Sequence, residues 1–483
     1  MSADTLDIPG LGAPGDTEWE TVVGLEVHAE LATETKLFSA SPNRFGGEPN
    51  THIDPVSLGL PGSLPVLNKM AVELAIRVGL ALNCRIQPSV FARKNYFYPD
   101  MPKDFQISQY DEPINVEGWL ELPTGKRIGI ERAHLEEDTG KTVHIGGGGR
   151  IHEAGYSLVD YNRAGVPLIE IVGRPELRSA EEARQYVTEL RAILVAVGAS
   201  DGKMEEGSLR VDCNVSVRPK GSDRLGTRCE IKNVNSLRSL GRAIEYETRR
   251  QIDQLTGGQP VEQQTRHWNE DDGRTHALRS KEEDYDYRYF PEPDLLPLDP
   301  STEWVEEVRQ ELPPLPRDRR LRLAEAAPSV DVDHIALAVE RSMDELALAA
   351  IADGGAAERV MTHVVHNLAD GSGRLTADAL AALVGLEESG ELTATQAKTV
   401  LAALVDKGGS PEDAAQELGF EAMDAGELEA LVEGLIAEHP DEWSRFCDGD
   451  NKLTGFFVGQ AMKATQGRAD GKAVTQLLNA RRG

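Results

Sequence analysis

Residues 20–31 alternate with a period of two. Thr21, Val23, Leu25, Val27, Ala29 and Leu31 fall on one face, and Glu20, Val22, Gly24, Glu26, His28 and Glu30 on the other. A half-buried strand with this pattern presents Glu26, His28 and Glu30 in a row. Carboxylate oxygens beside one imidazole can hold a divalent cation that also touches phosphates. The same residues also suit a solvated strand face. Residues 130–138 alternate similarly: with Ala133 and Leu135 inward, Arg132, His134, Glu136 and Asp138 point the other way. A third strand, 209–217, has Leu209, Val211, Cys213, Val215 and Val217 on one side, with Arg210, Asp212, Asn214 and Ser216 on the other. A fourth, 228–235, puts Glu230 and Lys232 on one side. Such strands can line one concave site, or each can be the wet face of an antiparallel sheet.

Two phosphate-binding patterns fail. Gly140-Lys141-Thr142 resembles the end of a Walker loop, but the required upstream glycine falls at Leu135. The glycine run 146–149 reads as a loop rather than a phosphate cradle. The four cysteines, Cys84, Cys213, Cys229 and Cys447, form no C-x-x-C pair, so neither a zinc ribbon nor a disulfide framework is indicated. No stretch approaches the roughly 18 apolar residues of a membrane span, and the expectation is a soluble cytoplasmic protein.

The elements that must position these residues are punctuated clearly. Residues 1–18, rich in Gly, Pro and Asp, read as a flexible leader. Short strands and glycine turns follow to about Pro300, then a proline-rich linker at 312–316, then an Ala-, Leu- and Glu-rich helical texture. Ser179 with Glu182 has the capping-box pattern ahead of a helix that Gly198 stops. Thr393 with Gln396, and Ser410-Pro411 with Asp413, mark two further helix starts. The reading is an α+β chain: a leader (1–18), a large mixed domain (19–300), a helical domain (301–375) and a tail (376–483), the last boundary set by Gly371-Ser372-Gly373.

Longer phrases are more specific than these patterns. TVVGLEVHAEL at 21–31, KNYFYPDMPKDFQISQYD at 94–111, HLEEDTGK at 134–141, LVDYNRAGVPLIEIV at 158–172, KMEEGSLRVDCNVS at 203–216, EIKNVNS at 230–236 and DYRYFPEPDLLPL at 286–298 resemble, in order and spacing, the B-subunit (GatB) family of tRNA-dependent amidotransferases. LTGFFVGQAMKATQGRAD at 453–470 resembles that family's C-terminal module. No synthetase-like insertion, the mark of the archaeal Glu-tRNA paralogue, interrupts the later half.

The resemblance implies a cradle-like catalytic domain followed by all-α modules. It implies that ATP phosphorylates the side-chain carboxylate of a mischarged Asp-tRNA(Asn) or Glu-tRNA(Gln). Ammonia from glutamine, released in the amidase (the A subunit) and channelled across, then displaces phosphate. A small C subunit completes the heterotrimer. Phosphoryl transfer depends on positioning and charge neutralisation, so Mg²⁺ is expected beside the ATP. By the resemblance the metal ligands fall at Glu26, His28, Glu136 and Glu230, with Glu137 the alternative to Glu136. Glu136, Glu137, Lys94 and Lys232 are the expected catalytic groups, and Asp212, Lys232, Asn233 and Asn235 the expected nucleotide contacts. Tyr96, Phe97 and Tyr98 are candidates to stack on the terminal adenosine of tRNA. The cysteine pairs of many relatives are replaced here by Ser39-Ala40-Ser41 and by residues 54–57, so structural zinc is not expected.

A formal net charge of −30 opposes general nucleic-acid binding and fits a surface adapted to high salt. The distribution offers a directed footprint instead. Residues 408–449 hold twelve Asp or Glu and one Arg, whereas 450–483 hold six Lys or Arg and two Asp. Arg317, Arg319, Arg320 and Arg322 form a second basic cluster.

Overall fold

The computed structural model describes residues 17–146, 155–278, 287–420, 425–465, 469 and 471–482. The leader up to residue 16, glycines 147–149 and Arg468 lie outside them. The chain divides into two compact units, Met1–Leu315 and Pro316–Gly483.

In the first unit the elements run β1 (Trp19–Glu30), α1 (Lys69–Ala81), β2 (Arg85–Ile86), β3 (Val90–Asn95), β4 (Phe105–Glu112), β5 (Asn115–Glu121), β6 (Arg127–Glu137), β7 (Lys141–Ile145), β8 (Tyr156–Asp160) and β9 (Pro167–Gly173). They continue as α2 (Ala180–Ala196), β10 (Leu209–Pro219), β11 (Cys229–Val234), α3 (Leu237–Thr256), β12 (Gln264–Asn269), β13 (Arg274–Ala277), β14 (Phe290–Pro291) and α4 (Thr302–Gln310). Among the described residues, twelve strands form one sheet in the order β13-β12-β11-β10-β1-β9-β6-β4-β3-β14, with β5 and β2 branching from β6, while β7 and β8 form a separate ribbon. β11 and β12 pair in parallel, and α3 supplies the crossover between them.

The sheet has one dry face. Val23, Leu25, Val27 and Ala29 of β1 share a core with Val72 and Ile76 of α1, Tyr186 and Leu190 of α2, and Leu240 and Ile244 of α3. Each such aliphatic side chain contributes about 1.5–3 kcal/mol by leaving water. That burial fixes the register, because a slip of one residue would drive Glu26 and His28 into the helices. The polar row of β1 is therefore held on the face that the helices do not cover.

Helix α2 starts where its sequence signal lies. The Ser179 side chain accepts from the Glu182 amide at 3.1 Å, and Gly198 follows the helix with φ of 70°. The reciprocal half of a capping box is missing: the Glu182 carboxylate accepts instead from the Arg178 amide and Lys126. α4 buries Val308 in the first core.

The second unit is all helical in its described residues: α5 (Pro316–Ala326), α6 (Val332–Glu340), α7 (Asp344–Ala352), α8 (Ala357–His366), α9 (Ala377–Glu388), α10 (Ala394–Lys407), α11 (Pro411–Glu417), α12 (Ala425–Glu438), α13 (Pro440–Cys447), α14 (Leu453–Ala464) and α15 (Gly471–Arg482). Thr393 and Gln396 form a complete capping box at α10, and Ser410 caps α11. One apolar cluster spans Leu323 to Ala415, and another, with Phe446 and Phe457 inside, spans Leu428 to Leu478. The arginines of α5 largely face acids: Arg319 grips the buried Asp344, and Arg322 meets Glu345 at 2.9 Å. Among the described residues no helix is long and apolar enough to cross a membrane.

Candidate active site

The strand register assembles the polar face into rows. β1 lies between β10 and β9, so His28 stands opposite Arg210 on one side and Glu170 on the other. β6 flanks β9, and His134 stands opposite Glu170. Arg210, His28, Glu170 and His134 thus form one row across four strands. The next row reads Asp212, Glu26, Val172 and Arg132. The row on the other side reads Glu30, Leu168, Glu136 and Ser108.

Within these rows the acids and imidazoles converge. His28 Nε2 lies 3.6 Å from Glu26, 3.6 Å from Glu170 and 3.9 Å from Glu136, and His134 Nε2 lies 3.6 Å from Glu170. Two overlapping triads result, Glu26–His28–Glu170 and His134–Glu136–Glu170, each offering ligand atoms within 4.8 Å of one another. They adjoin a cavity of about 720 Å³ lined by Glu26, Glu136, Glu170, Lys94, Arg132 and Tyr110 among others.

The electrostatics are those of crowded, buried charge. Burial, and then the neighbouring Glu170, push the Glu136 carboxyl up to about 7 and also raise Glu26. Burial opposes charge on Glu170 too, but His134 and His28 beside it hold it well below the usual carboxylate range. His28 is disfavoured as a cation by burial, yet the close approach of Glu170 and the charges of Glu136, Glu170 and Glu26 raise it to about 9. Burial dominates at His134 and drives it down to about 4, so its ring is neutral at pH 7.

These residues fit a divalent cation. Both ring nitrogens of the fully buried His134 lack a hydrogen-bond partner. Leaving such a group unsatisfied costs about 1–3 kcal/mol. A neutral imidazole with an uncommitted nitrogen beside carboxylates is a ligand set, and a cation would also relieve the repulsion among Glu26, Glu136 and Glu170.

Of the four expected ligands, the fold brings Glu26, His28 and Glu136 together but leaves Glu230 out of both triads. Glu230 lies on β11, two strands from β1, where Lys232 meets it at 2.9 Å and Thr265 donates to it at 3.0 Å. Lys232 also meets Asp212 at 2.9 Å, so these expected nucleotide contacts bind one another. Asn233 sits at φ of 64° and donates to the Trp268 carbonyl, and Asn235 donates to Asn233. Glu137 faces the opposite side of β6, where Lys103 and the Ile107 amide hold its carboxylate. Lys94 lines the cavity with its ammonium 4.9 Å from the Tyr287 ring centre. Tyr96 and Tyr98 stack on each other, and Phe97 is exposed.

Glu170, shared by both triads, was not singled out by sequence reasoning, nor was His134 as a ligand. The one signal was an ionisable residue in the middle of Pro-Leu-Ile-Glu-Ile-Val-Gly, a run buried along nearly its whole length.

The chain matches the family model described as the GatB/GatE catalytic domain over residues 21–306 and a second, described as the GatB domain, over residues 341–481. It is 48% identical over 486 residues to the B subunit of the aspartyl/glutamyl-tRNA(Asn/Gln) amidotransferase of Synechococcus elongatus, covering 97% of this chain and 98% of that one. The proteins of the same name from Trichodesmium erythraeum and Prochlorococcus marinus are 45% and 46% identical, each over 96% of this chain and 98% of their own length. With a catalytic-domain match over more than half its length and end-to-end relatives of one name, the chain belongs to the B-subunit family of the aspartyl/glutamyl-tRNA(Asn/Gln) amidotransferases.

Proposed function

We propose that this chain is the component of a glutamine-dependent amidotransferase in which ATP activates the side-chain carboxylate of aspartate or glutamate esterified to a non-cognate tRNA, and ammonia then converts it to the amide. The observation that carries the reading is the pair of triads sharing Glu170 at the wall of a cavity that also holds Lys94 and Arg132. A carboxylate oxygen is a poor leaving group. Attack by that oxygen on the γ-phosphorus breaks the bond to ADP and forms an acyl phosphate. Ammonia then attacks the acyl carbon, and inorganic phosphate departs.

Glu26, His28 and Glu170, with His134 and Glu136 beside them, would hold Mg²⁺, whose charge would offset that of the ATP phosphates. The protein's own groups have separate tasks. Lys94 presents a cation to an incoming oxyanion, and the dry wall beneath the sheet keeps the cluster rigid. Ammonia supply falls to an amidase, the A subunit, with a small C subunit as the third member of the complex. The excess of basic residues after residue 450 supports a tRNA contact by the tail, although Arg481 pairs with Glu433 and Arg482 donates to Asn451 in the free chain.

Hydroxylamine trapping tests this directly. The assembled complex, given ATP and Glu-tRNA(Gln) or Asp-tRNA(Asn) without glutamine, should yield the side-chain hydroxamate in an ATP-dependent manner. A complex that binds mischarged tRNA but consumes no ATP and forms no hydroxamate would mark the chain as a silent tRNA-binding scaffold.

A further inference from the structure

Arg132 stands out on the cavity wall. Along β6, Ile130 pairs with Gly173 and Arg132 with Val172, so β6 places two residues where β9 places one. Such a bulge re-aims side chains. Here it brings Glu131 and Arg132, which a regular strand would send to opposite faces, to the lining of one cavity.

The guanidinium is held between an aromatic ring and a carboxylate. Its centre lies 4.6 Å from the Tyr110 ring centre, and Tyr110 stacks on Tyr289 with 5.3 Å between centres and 16° between planes. Nη1 donates to Glu131 at 2.9 Å. Nη2 is 3.8 Å from Glu170, beyond hydrogen-bond length, and Nε is buried with no hydrogen-bond partner. A clamped, largely buried guanidinium therefore keeps donors uncommitted in the row of Glu26, beside that of His28, Glu170 and His134.

We infer that Arg132 is a catalytic residue that grips an oxyanion of the reacting pair, either the γ-phosphate of ATP or the side-chain carboxylate that attacks it. This rests on the function proposed above. The chemistry is suited to the place. The wall carries Glu26, Glu131, Glu136 and Glu170, and every one of them that is ionised repels both anionic reactants. A planar fork can donate to two oxygens at once and fixes their orientation as it offsets their charge. The Tyr110 ring and Glu131 hold the guanidinium in place beforehand, so little is left to order when the anion arrives.

The test uses the assembled complex with Arg132→Ala and Arg132→Lys. Turnover of mischarged tRNA should fall about a thousandfold in the first and about 10- to 100-fold in the second, since lysine keeps the charge but loses the fork. Added guanidinium should restore part of the activity of Arg132→Ala, which a merely structural defect would not allow. Calorimetry with a non-hydrolysable ATP analogue and Mg²⁺ but no tRNA separates the two anions. Weaker nucleotide binding in both variants assigns Arg132 to the γ-phosphate. Unchanged nucleotide binding with a raised KM or lowered kcat for mischarged tRNA assigns it to the carboxylate. Turnover and nucleotide binding within about threefold of wild type in Arg132→Ala, with no response to guanidinium, would overturn the inference. Absence of product in the wild-type complex would instead count against the proposed function, and the calorimetric comparison would still read Arg132.

Discussion

Two acid-bearing clusters sit on the same sheet and differ in one respect. Around Lys232, the carboxylates of Asp212 and Glu230 each meet the ammonium at 2.9 Å, and Thr265 donates to Glu230. Around Glu170, Glu26 and Glu136 crowd the same space, His28 lies 3.6–3.9 Å from all three acids, and His134 is left with no hydrogen bond. The first cluster pairs its own polar groups, and the second does not. A fold retains an unbalanced buried cluster when something else completes it, and perturbed groups of that kind concentrate at functional sites. The contrast separates acids left without enough partners from paired acids that look equivalent along the chain.

Removing the shared member of the unbalanced cluster is the strongest way to break the contrast. Glu170→Gln should lower ATP-dependent amidation by roughly a thousandfold in the assembled complex, because both triads lose their common carboxylate. Glu136→Gln affects one triad and should cost about a hundredfold, measured as hydroxamate formation from mischarged tRNA with ATP. If Glu136→Gln instead diminished the glutaminase activity of the amidase in step, a structural role would replace the chemical one. Glu230→Gln should change turnover by less than about threefold, since Lys232 keeps Asp212 as its partner. A loss as large as that of Glu170→Gln would join the two clusters into one site.

The smallest effect concerns a satisfied histidine that contrasts with His134. In the second unit His363 bonds Glu387 at 2.9 Å and Asn367 at 3.0 Å, and Arg359 grips the other oxygen of Glu387. Burial first, then the Arg359 charge, hold His363 down at about 4. Its imidazole is neutral in the fold, so the unfolded chain takes up a proton first as pH falls. The contribution is complete above pH 6.5 and is lost toward pH 4, on the order of 3 kcal/mol at most. Thermal unfolding from pH 7 to 4.5 should show a steeper loss in wild type than in His363→Gln, and parallel curves would remove this assignment.

How much of this was legible in the sequence depended on whether the deciding contact was local. The alternation of β1 and β10 was, because each has one dry and one wet face. Capping residues Thr393 and Ser410 were, because their partners lie three residues away. Glu170 was obscure because β9 is buried on nearly every residue, which erases the period of two. Its facing side depends on pairing with β1 and β6, more than thirty residues distant along the chain. Glu230 read as equivalent to Glu26 because nothing in its own strand shows that β10 stands between them or that Lys232 folds back on it. Arg132 followed the alternation of β6, but Glu131 beside it on the cavity wall required the bulge against β9, which is likewise a property of two strands together.

The most direct test of the contrast is Mn²⁺ soaked into crystals of the assembled complex and located by its anomalous scattering. The expected result is density within coordination distance of Glu170 and of His28 or His134, with none between Asp212 and Glu230. Density at Glu230 and Asp212 with the Glu170 cluster empty would contradict it.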